Sequence, residues 1–216
     1  VFRQTGMVRS SCYFLDGNTN IARQYDNKTG KALPVEYVNI LGSGGITSTA
    51  EDLCRFSQIM WGDTLLEPST FKEFTKPQYG PMTVPKGTPL YKFGLGWDCV
   101  GVEEFARQGI KVMAKNGGKQ EFNSQLYVAP HEKLSVALIF AGPADPAGIC
   151  TQIMQALMEG KGILSGDERR VKLPPRNTAI PDALLKYEGY YAGSGRIMKV
   201  EFDTNSNTMK ASMYDH

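Results

Sequence analysis

Three apolar, β-rich runs follow one another between Ile110 and Phe140, and the spacers between them are too short for anything but hairpins. The runs are Ile110–Lys115, Phe122–Val128 and Leu134–Phe140, rich in β-branched and aromatic residues. Gly117-Gly118 separates the first pair and Pro130-His131-Glu132-Lys133 the second. A parallel crossover needs a dozen or more residues, so these runs form an antiparallel sheet. A fourth strand-like run, Tyr91–Val102, precedes them. After Pro143 the period changes. Ile149, Cys150, Ile153, Met154, Leu157 and Met158 recur at helical spacing and stop at Gly160, which predicts a helix with an apolar stripe. Upstream, Ser48-Thr49-Ala50-Glu51 reads as a capping box opening a second helix with Leu53, Phe56, Ile59 and Met60 on one face, closed by Trp61-Gly62-Asp63. Glu67-Pro68-Ser69 opens a short polar helix, with Pro68 where a first turn tolerates it. The fold class is therefore α/β of the α+β kind, an antiparallel sheet flanked by helices.

Composition narrows the chemistry. Hydrophobic residues make up 41% of the 216, enough for a packed core and too many for a disordered chain. The formal charge of +2 gives no basic field for nucleic acid or anionic lipid, and no apolar run reaches the roughly 20 residues of a membrane span. Cys12, Cys54, Cys99 and Cys150 lie far apart, with no pairing at metal spacing, and read as small buried hydrophobes. His131 and His216 are the only histidines, and His131 sits in a tight turn beside Glu132 as a solvated turn residue. No metal and no cofactor is implied. A Ser-His-Asp triad has almost no material, and neither a phosphate loop nor a G-x-S-x-G elbow is present. A hydrolase built on this chain needs a Lys or Tyr as its base.

That requirement directs attention to the S-x-x-K, Y-x-N and K-T-G motifs. Literal matches exist in Ser69-Thr70-Phe71-Lys72, Tyr25-Asp26-Asn27, Tyr37-Val38-Asn39 and Lys28-Thr29-Gly30. Their contexts are wrong. A nucleophilic Ser should head a buried apolar helix whose first turn sets the Lys beside the hydroxyl, whereas Ser69 begins the surface pattern Phe-Lys-Glu-Phe-Thr-Lys. Lys28-Thr29-Gly30 lies in a polar turn and abuts Tyr25-Asp26-Asn27, although the chemistry needs these groups to converge from separate elements. All four read as decoys.

The better candidate is Lys115-Asn116-Gly117-Gly118, at the end of the strand Ile110-Lys-Val-Met-Ala. With its flanks, the chain resembles the serine β-lactamase and penicillin-binding family, in its class C and D,D-peptidase-like branch. Phe2-Arg-Gln-Thr-Gly-Met7, Gly44-Gly45-Ile-Thr-Ser-Thr-Ala-Glu-Asp-Leu53, Phe93-Gly-Leu-Gly-Trp97 and Lys115-Asn-Gly-Gly118 resemble four of its segments, in the family's order, across residues 1 to about 160. The tetrapeptide alone reads as a hairpin end with a solvated lysine, and the flanking matches reverse that. The resemblance implies a β-lactamase or transpeptidase-like fold, incomplete on its N-terminal side, and an acyl-enzyme mechanism. It gives Lys115 the cationic role, lowering the pKa of catalytic neighbours and attracting a substrate carboxylate. Asn116, with Gly117 beside it, would bind that carboxylate, and the Gly118 N–H would donate into an oxyanion hole. Substrate would add to this strand as a further strand.

The chain departs from the family's pattern at two points. Glu121 stands where relatives usually carry Gly. The nucleophile helix and Tyr motif, which precede the Gly-Met segment in the family, are absent, and the first residue is Val1 rather than Met. The expected organisation is the C-terminal part of a serine hydrolase domain over 1–164, a charged, Pro-rich linker over 165–181, and the start of an appended β-rich domain over 182–216. In that last part Leu184-Leu-Lys-Tyr-Glu-Gly-Tyr-Tyr191 resembles the opening of the lipocalin-like domain found in relatives, and strand-like runs lead into Arg196–Phe202, a Thr-Asn-Ser-Asn turn at 204–207 and Met209–Tyr214. Two or three strands cannot bury a core alone, so either they lean on the main domain or the second domain is cut off at His216, and a lipocalin-like carrier fails on length. The function expected of the parent protein is acylation of an upstream Ser by a β-lactam, a D-amino-acid peptide or a small ester, followed by hydrolysis, with this chain alone inactive. The partners implied are that substrate and the missing N-terminal part of the domain. The rival reading is a non-catalytic module of the same fold that binds cell-wall peptide or a protein. The resemblance favours export and the separated cysteines a reducing interior, so the compartment stays open.

Overall fold

The structure, a computed structural model, describes residues 1–13, 20–26, 28–34, 40–61, 65–78, 92–119, 122–142, 145–165, 179–193 and 196–214. The chain forms two compact units, Val1–Leu164 and Ser165–His216.

In the first unit the helices α1 (Phe2–Thr5), α2 (Leu41–Gly44), α3 (Ala50–Ser57), α4 (Pro68–Phe74) and α5 (Glu103–Ala106) precede an antiparallel meander of β1 (Met113–Lys119), β2 (Phe122–Ala129) and β3 (Leu134–Ala141). Helix α6 (Pro146–Gly160) closes it. Alternation along the strands builds two cores. Ala114, Tyr127, Ala129, Leu134 and Val136 face one way, where Cys150, Met154 and Met158 of α6 pack with Phe105 and Val112. Met113, Leu126 and Val128 face the other way, against Ile59, Met60, Trp97 and the half-buried Leu53, Phe56, Phe71 and Phe74. The sheet is thus covered by α6 on one side and by α3 and α4 on the other, the mixed helix and antiparallel-sheet architecture that the hairpin spacing implies.

Several expectations need correction. Gly117-Gly118 is not the hairpin turn. Both residues lie inside β1, opposite Ser124 and Asn123, so the strand runs on to Lys119; positions 120–121 lie outside the described residues. Glu121 is among these. A Cβ on Gly117 would stand 2.5 Å from the Ser124 hydroxyl, so the absent side chain permits this pairing rather than a bend. Tyr91–Val102 is not a regular strand over its described part, 92–102. Gly96 takes φ +75°, and the chain folds back so that Gly94 N–H donates to Trp97 O (3.0 Å) and Val100 N–H to Lys92 O (2.8 Å). A left-handed residue is cheap only for glycine, and here it breaks the run. The cap of α3 sits one residue later than the capping box suggests. Thr49 Oγ1 accepts from Asp52 N–H (3.2 Å), while the Ser48 hydroxyl is engaged by that of Ser10 at 2.7 Å. The helix then tightens into a 3₁₀ turn, Gln58–Met60, capped by Trp61.

Helix α4 starts as expected, with Glu67 at its cap and Pro68 in its first turn. The α6 stripe splits: Cys150, Met154 and Met158 are fully buried, but Ile149, Ile153 and Leu157 are 39%, 37% and 40% exposed. All four thiols are free; only Cys150 is fully buried, and Cys12, Cys54 and Cys99 are half-buried.

The second unit carries α7 (Asp182–Leu185) and a second antiparallel meander, β4 (Gly189–Gly193), β5 (Arg196–Asp203) and β6 (Thr208–Tyr214). Most of the expected linker lies outside the described residues. The 204–207 turn is present: Asp203 Oδ1 accepts from Asn205 N–H (2.9 Å) and Ser206 N–H (3.2 Å), and Asn207 takes φ 52°. Among its described apolar side chains only Val200 is buried.

Candidate functional site

Lys115, Asn116, Gly117 and Gly118 lie side by side on β1, paired with Leu126, Gln125, Ser124 and Asn123 of β2. Strand β1 has one strand neighbour among the described residues, so its other edge is where chemistry can be placed. The first half of that edge is closed. Ala114 N–H donates to Cys99 O (2.7 Å), Cys99 N–H returns to Ala114 O (3.2 Å), and Val102 N–H donates to Val112 O (2.9 Å). Because backbone groups alternate along a strand, outward pairing at Ala114 fixes the sense at every second residue beyond it. The N–H and C=O groups of Asn116 and Gly118 point to the same outer edge. The Gly118 N–H is thereby turned away from β2.

Asp98, which no sequence motif singles out, stands at the point where the 98–102 segment leaves this edge. Its carboxylate oxygens lie 3.0 and 3.1 Å from Lys115 Nζ, and Oδ2 also accepts the Asn116 N–H. Lys115 Nζ donates further to Asn116 O (2.6 Å) and lies 3.4 Å from Asn116 Oδ1. The pair is accessible, with side chains 44% and 36% exposed. The cation expected to meet a substrate carboxylate therefore already meets one from the chain itself. No spacing rule reveals Asp98. The only signal is a lone acid directly after Gly-Leu-Gly-Trp97, and the back-folded turn at Gly94–Trp97 brings it to the strand.

At the far end of β1 the buried Gln24 donates from Nε2 to Lys119 O (3.1 Å), tying the 20–26 segment to the strand. The next residues form a tight hairpin. Asp26 Oδ1 accepts from Lys28 N–H (3.0 Å), Thr29 N–H (2.6 Å) and the Thr29 hydroxyl (2.7 Å), and Gly30 takes φ +66°. The Thr29 hydroxyl bond foremost holds the Asp26 carboxyl below its ordinary range. Lys28-Thr29-Gly30 is thus an exposed turn whose hydroxyl is spent on Asp26. Ser69 and Lys72 are both exposed on α4, away from the buried setting their chemistry would need. Asn27 and the Tyr37-Val38-Asn39 match lie outside the described residues.

Two more of the family-like stretches meet each other. Asp52, 0% exposed, accepts from Arg9 N–H (2.8 Å) and the Ser10 hydroxyl (2.8 Å). Arg55 donates from Nη1 to Asp52 Oδ1 (3.2 Å) and to Gly6 O (3.1 Å). The segment after α1 is thereby clamped onto α3. His131 is exposed in its turn, as expected. No helix among the described residues is long and apolar enough to cross a membrane.

No family model matches the sequence, and no curated protein matches it. Solved structures do resemble the fold. The octameric penicillin-binding protein homologue from Pyrococcus abyssi superposes with a TM-score of 0.57 at 17% identity, over 99% of this chain and 48% of that one. A class C β-lactamase from Rhodobacter sphaeroides gives 0.55 at 16% identity, over 73% of this chain and 52% of that one. SurE solved with D-Leu gives 0.50 at 17% identity, over 100% of this chain and 49% of that one. The chain spans about half the length of the structures it matches. Over that half it has the fold of penicillin-binding protein and β-lactamase structures.

Proposed function

We propose that this chain supplies the substrate-binding edge of a β-lactamase-like serine hydrolase whose nucleophile lies outside these 216 residues. The observation that carries the reading is the outer edge of β1 beyond Asn116, which no strand pairs at Gly118 among the described residues, with Lys115 beside it, in a fold shared with a penicillin-binding protein homologue and a class C β-lactamase. A substrate backbone adds to that edge as a strand. A serine hydroxyl attacks its carbonyl, a general base takes the serine proton, and the Gly118 N–H meets the charge that develops on oxygen. Collapse expels the protonated leaving group, and water then releases the acyl group from the serine. Lys115 supplies positive potential beside the reacting centre, and Asn116 and Gly117 line the substrate's path. Candidate acyl donors are β-lactams, D-amino-acid peptides and small esters, and SurE solved with D-Leu supports the second class.

Two surfaces support a further part of the same domain as partner. Ile149, Ile153 and Leu157 present an exposed apolar row at helical spacing on α6. Strand β3 has one neighbour, β2, and so leaves an unpaired edge among the described residues. One observation favours the rival, a non-catalytic binding module: Lys115 is already paired with Asp98.

The reading frame preceding Val1 tests the proposal. It should encode Ser-x-x-Lys at the head of an apolar helix and then Tyr-x-Asn. A preceding frame of matching length without that Ser or Lys overturns the hydrolase and leaves the binding module.

A further inference from the structure

We infer that Asp98 is a specificity-determining residue: by holding Lys115 Nζ and the Asn116 N–H, it takes the place of a substrate carboxylate and turns this edge toward acyl donors that lack one. The inference rests on the proposed use of β1 as the substrate edge. The ammonium has three hydrogens. They are directed to the Asp98 carboxylate, at 3.0 and 3.1 Å, and to Asn116 O, at 2.6 Å. Asp98 Oδ2 also accepts the outward N–H of Asn116, the backbone donor nearest the lysine on this edge. A carboxylate arriving here would find both donors engaged by a group of its own charge and chemistry. It would have to displace Asp98 while being repelled by it. A neutral amide or ester meets no such competitor, and the edge beyond Asn116, with the outward N–H of Gly118, remains for its backbone. With side chains 44% and 36% exposed, the pair is reachable by ligand.

A mere structural staple would hold the bend at Trp97–Cys99 but would not sort ligands by charge, so the test reads selectivity. The probes are N-acetyl-D-alanyl-D-alanine and its C-terminal amide, titrated into the ¹⁵N-labelled chain while the Asn116 and Gly118 amide resonances are followed. In the unmodified protein the amide should bind at least as tightly as the acid, a comparison that needs no variant to fold. Asp98→Asn keeps an acceptor for the Asn116 N–H and removes the charge. It should tighten the acid by at least about fivefold, the factor for one unit-charge repulsion at contact distance in water-like surroundings, and change the amide by less than twofold. If both probes shift these resonances but the acid is preferred already and Asp98→Asn leaves the preference unchanged, the inference is overturned and the binding edge stands. If neither probe shifts them in either protein, the edge is not a substrate site, and both readings are overturned.

Discussion

Replacing Asp52 by Ala removes the buried carboxylate that, together with Arg55, binds the segment after α1 to helix α3. Its carboxylate is 0% exposed and accepts from the Arg9 N–H and the Ser10 hydroxyl, each at 2.8 Å, and from Arg55 at 3.2 Å. Hydrogen bonds to a charged group contribute roughly 1.5–3 kcal/mol each, which gives about 3–6 kcal/mol for the first two. Arg55 is 34% exposed and also bonds Glu51 and Gly6 O, so its share is at most about 1 kcal/mol after solvent screening. Relief of the buried carboxylate's desolvation offsets part of the loss. The expected cost is therefore about 3–5 kcal/mol, within the range for breaking a buried charged pair. The helix cap survives, because Thr49 is bonded to the backbone of Asp52 rather than to its side chain. Guanidinium unfolding should show a lower midpoint with an unchanged slope, and Tm should fall by about 6–20 °C at the usual 2–4 °C per kcal/mol. The Ser10→Ala variant should cost less, and combining it with Asp52→Ala should add little, because the two share one bond. A cost below about 1 kcal/mol for Asp52→Ala, or full additivity of the pair, would refute the clamp.

Burial lifts the Cys150 thiol from 9.0 to about 12. Between those values the unfolded chain gives up this proton and the folded one keeps it, so the contribution is intact below pH 9 and fades above it, by up to about 1.4 kcal/mol per pH unit. Mass mapping after iodoacetamide treatment at pH 8.5 should find Cys12 modified and Cys150 untouched; equal labelling would contradict the burial. In α6, Met154→Ala should cost about 2–5 kcal/mol because Met154 is fully buried. Ile153→Ala, on the exposed row, should cost under about 1 kcal/mol, and chemical denaturation of the two variants compares them directly.

What the sequence shows and what it hides divide along physical lines. The hairpin at 122–141 and the helix at 146–160 are legible because apolar periodicity is a local signal that packing reinforces. The same signal does not tell which part of the α6 stripe is covered. Met154 and Ile153 are adjacent and both apolar, and only the sheet decides between them. Gly117-Gly118 reads as a turn because glycine most often marks one, yet opposite Ser124 it serves close strand pairing. The capping box fits two registers one residue apart, and the Ser10–Ser48 contact selects the later one, a choice made by a residue outside the helix altogether. Asp98 is hidden for the same reason. Its role depends on a left-handed Gly96 that folds the chain back and on a lysine brought to it by tertiary pairing, neither of which leaves a spacing in the sequence. Lys115, Asn116, Gly117 and Gly118 emerge through the resemblance, and the turning of the Asn116 and Gly118 backbone groups to the outer edge comes from the ladder alone.

The central claim is that this chain carries the binding edge and not the nucleophile. It is tested most directly by treating the 216-residue chain, and the protein translated with its preceding reading frame, with a penicillin-type acylating probe, both as the free acid and as its neutral methyl ester, and mapping the adduct by mass spectrometry. The account predicts no adduct on the 216-residue chain and, in the longer protein, one acyl group on a serine outside residues 1–216. An adduct on Ser69, or no adduct on any serine of the longer protein, would contradict it.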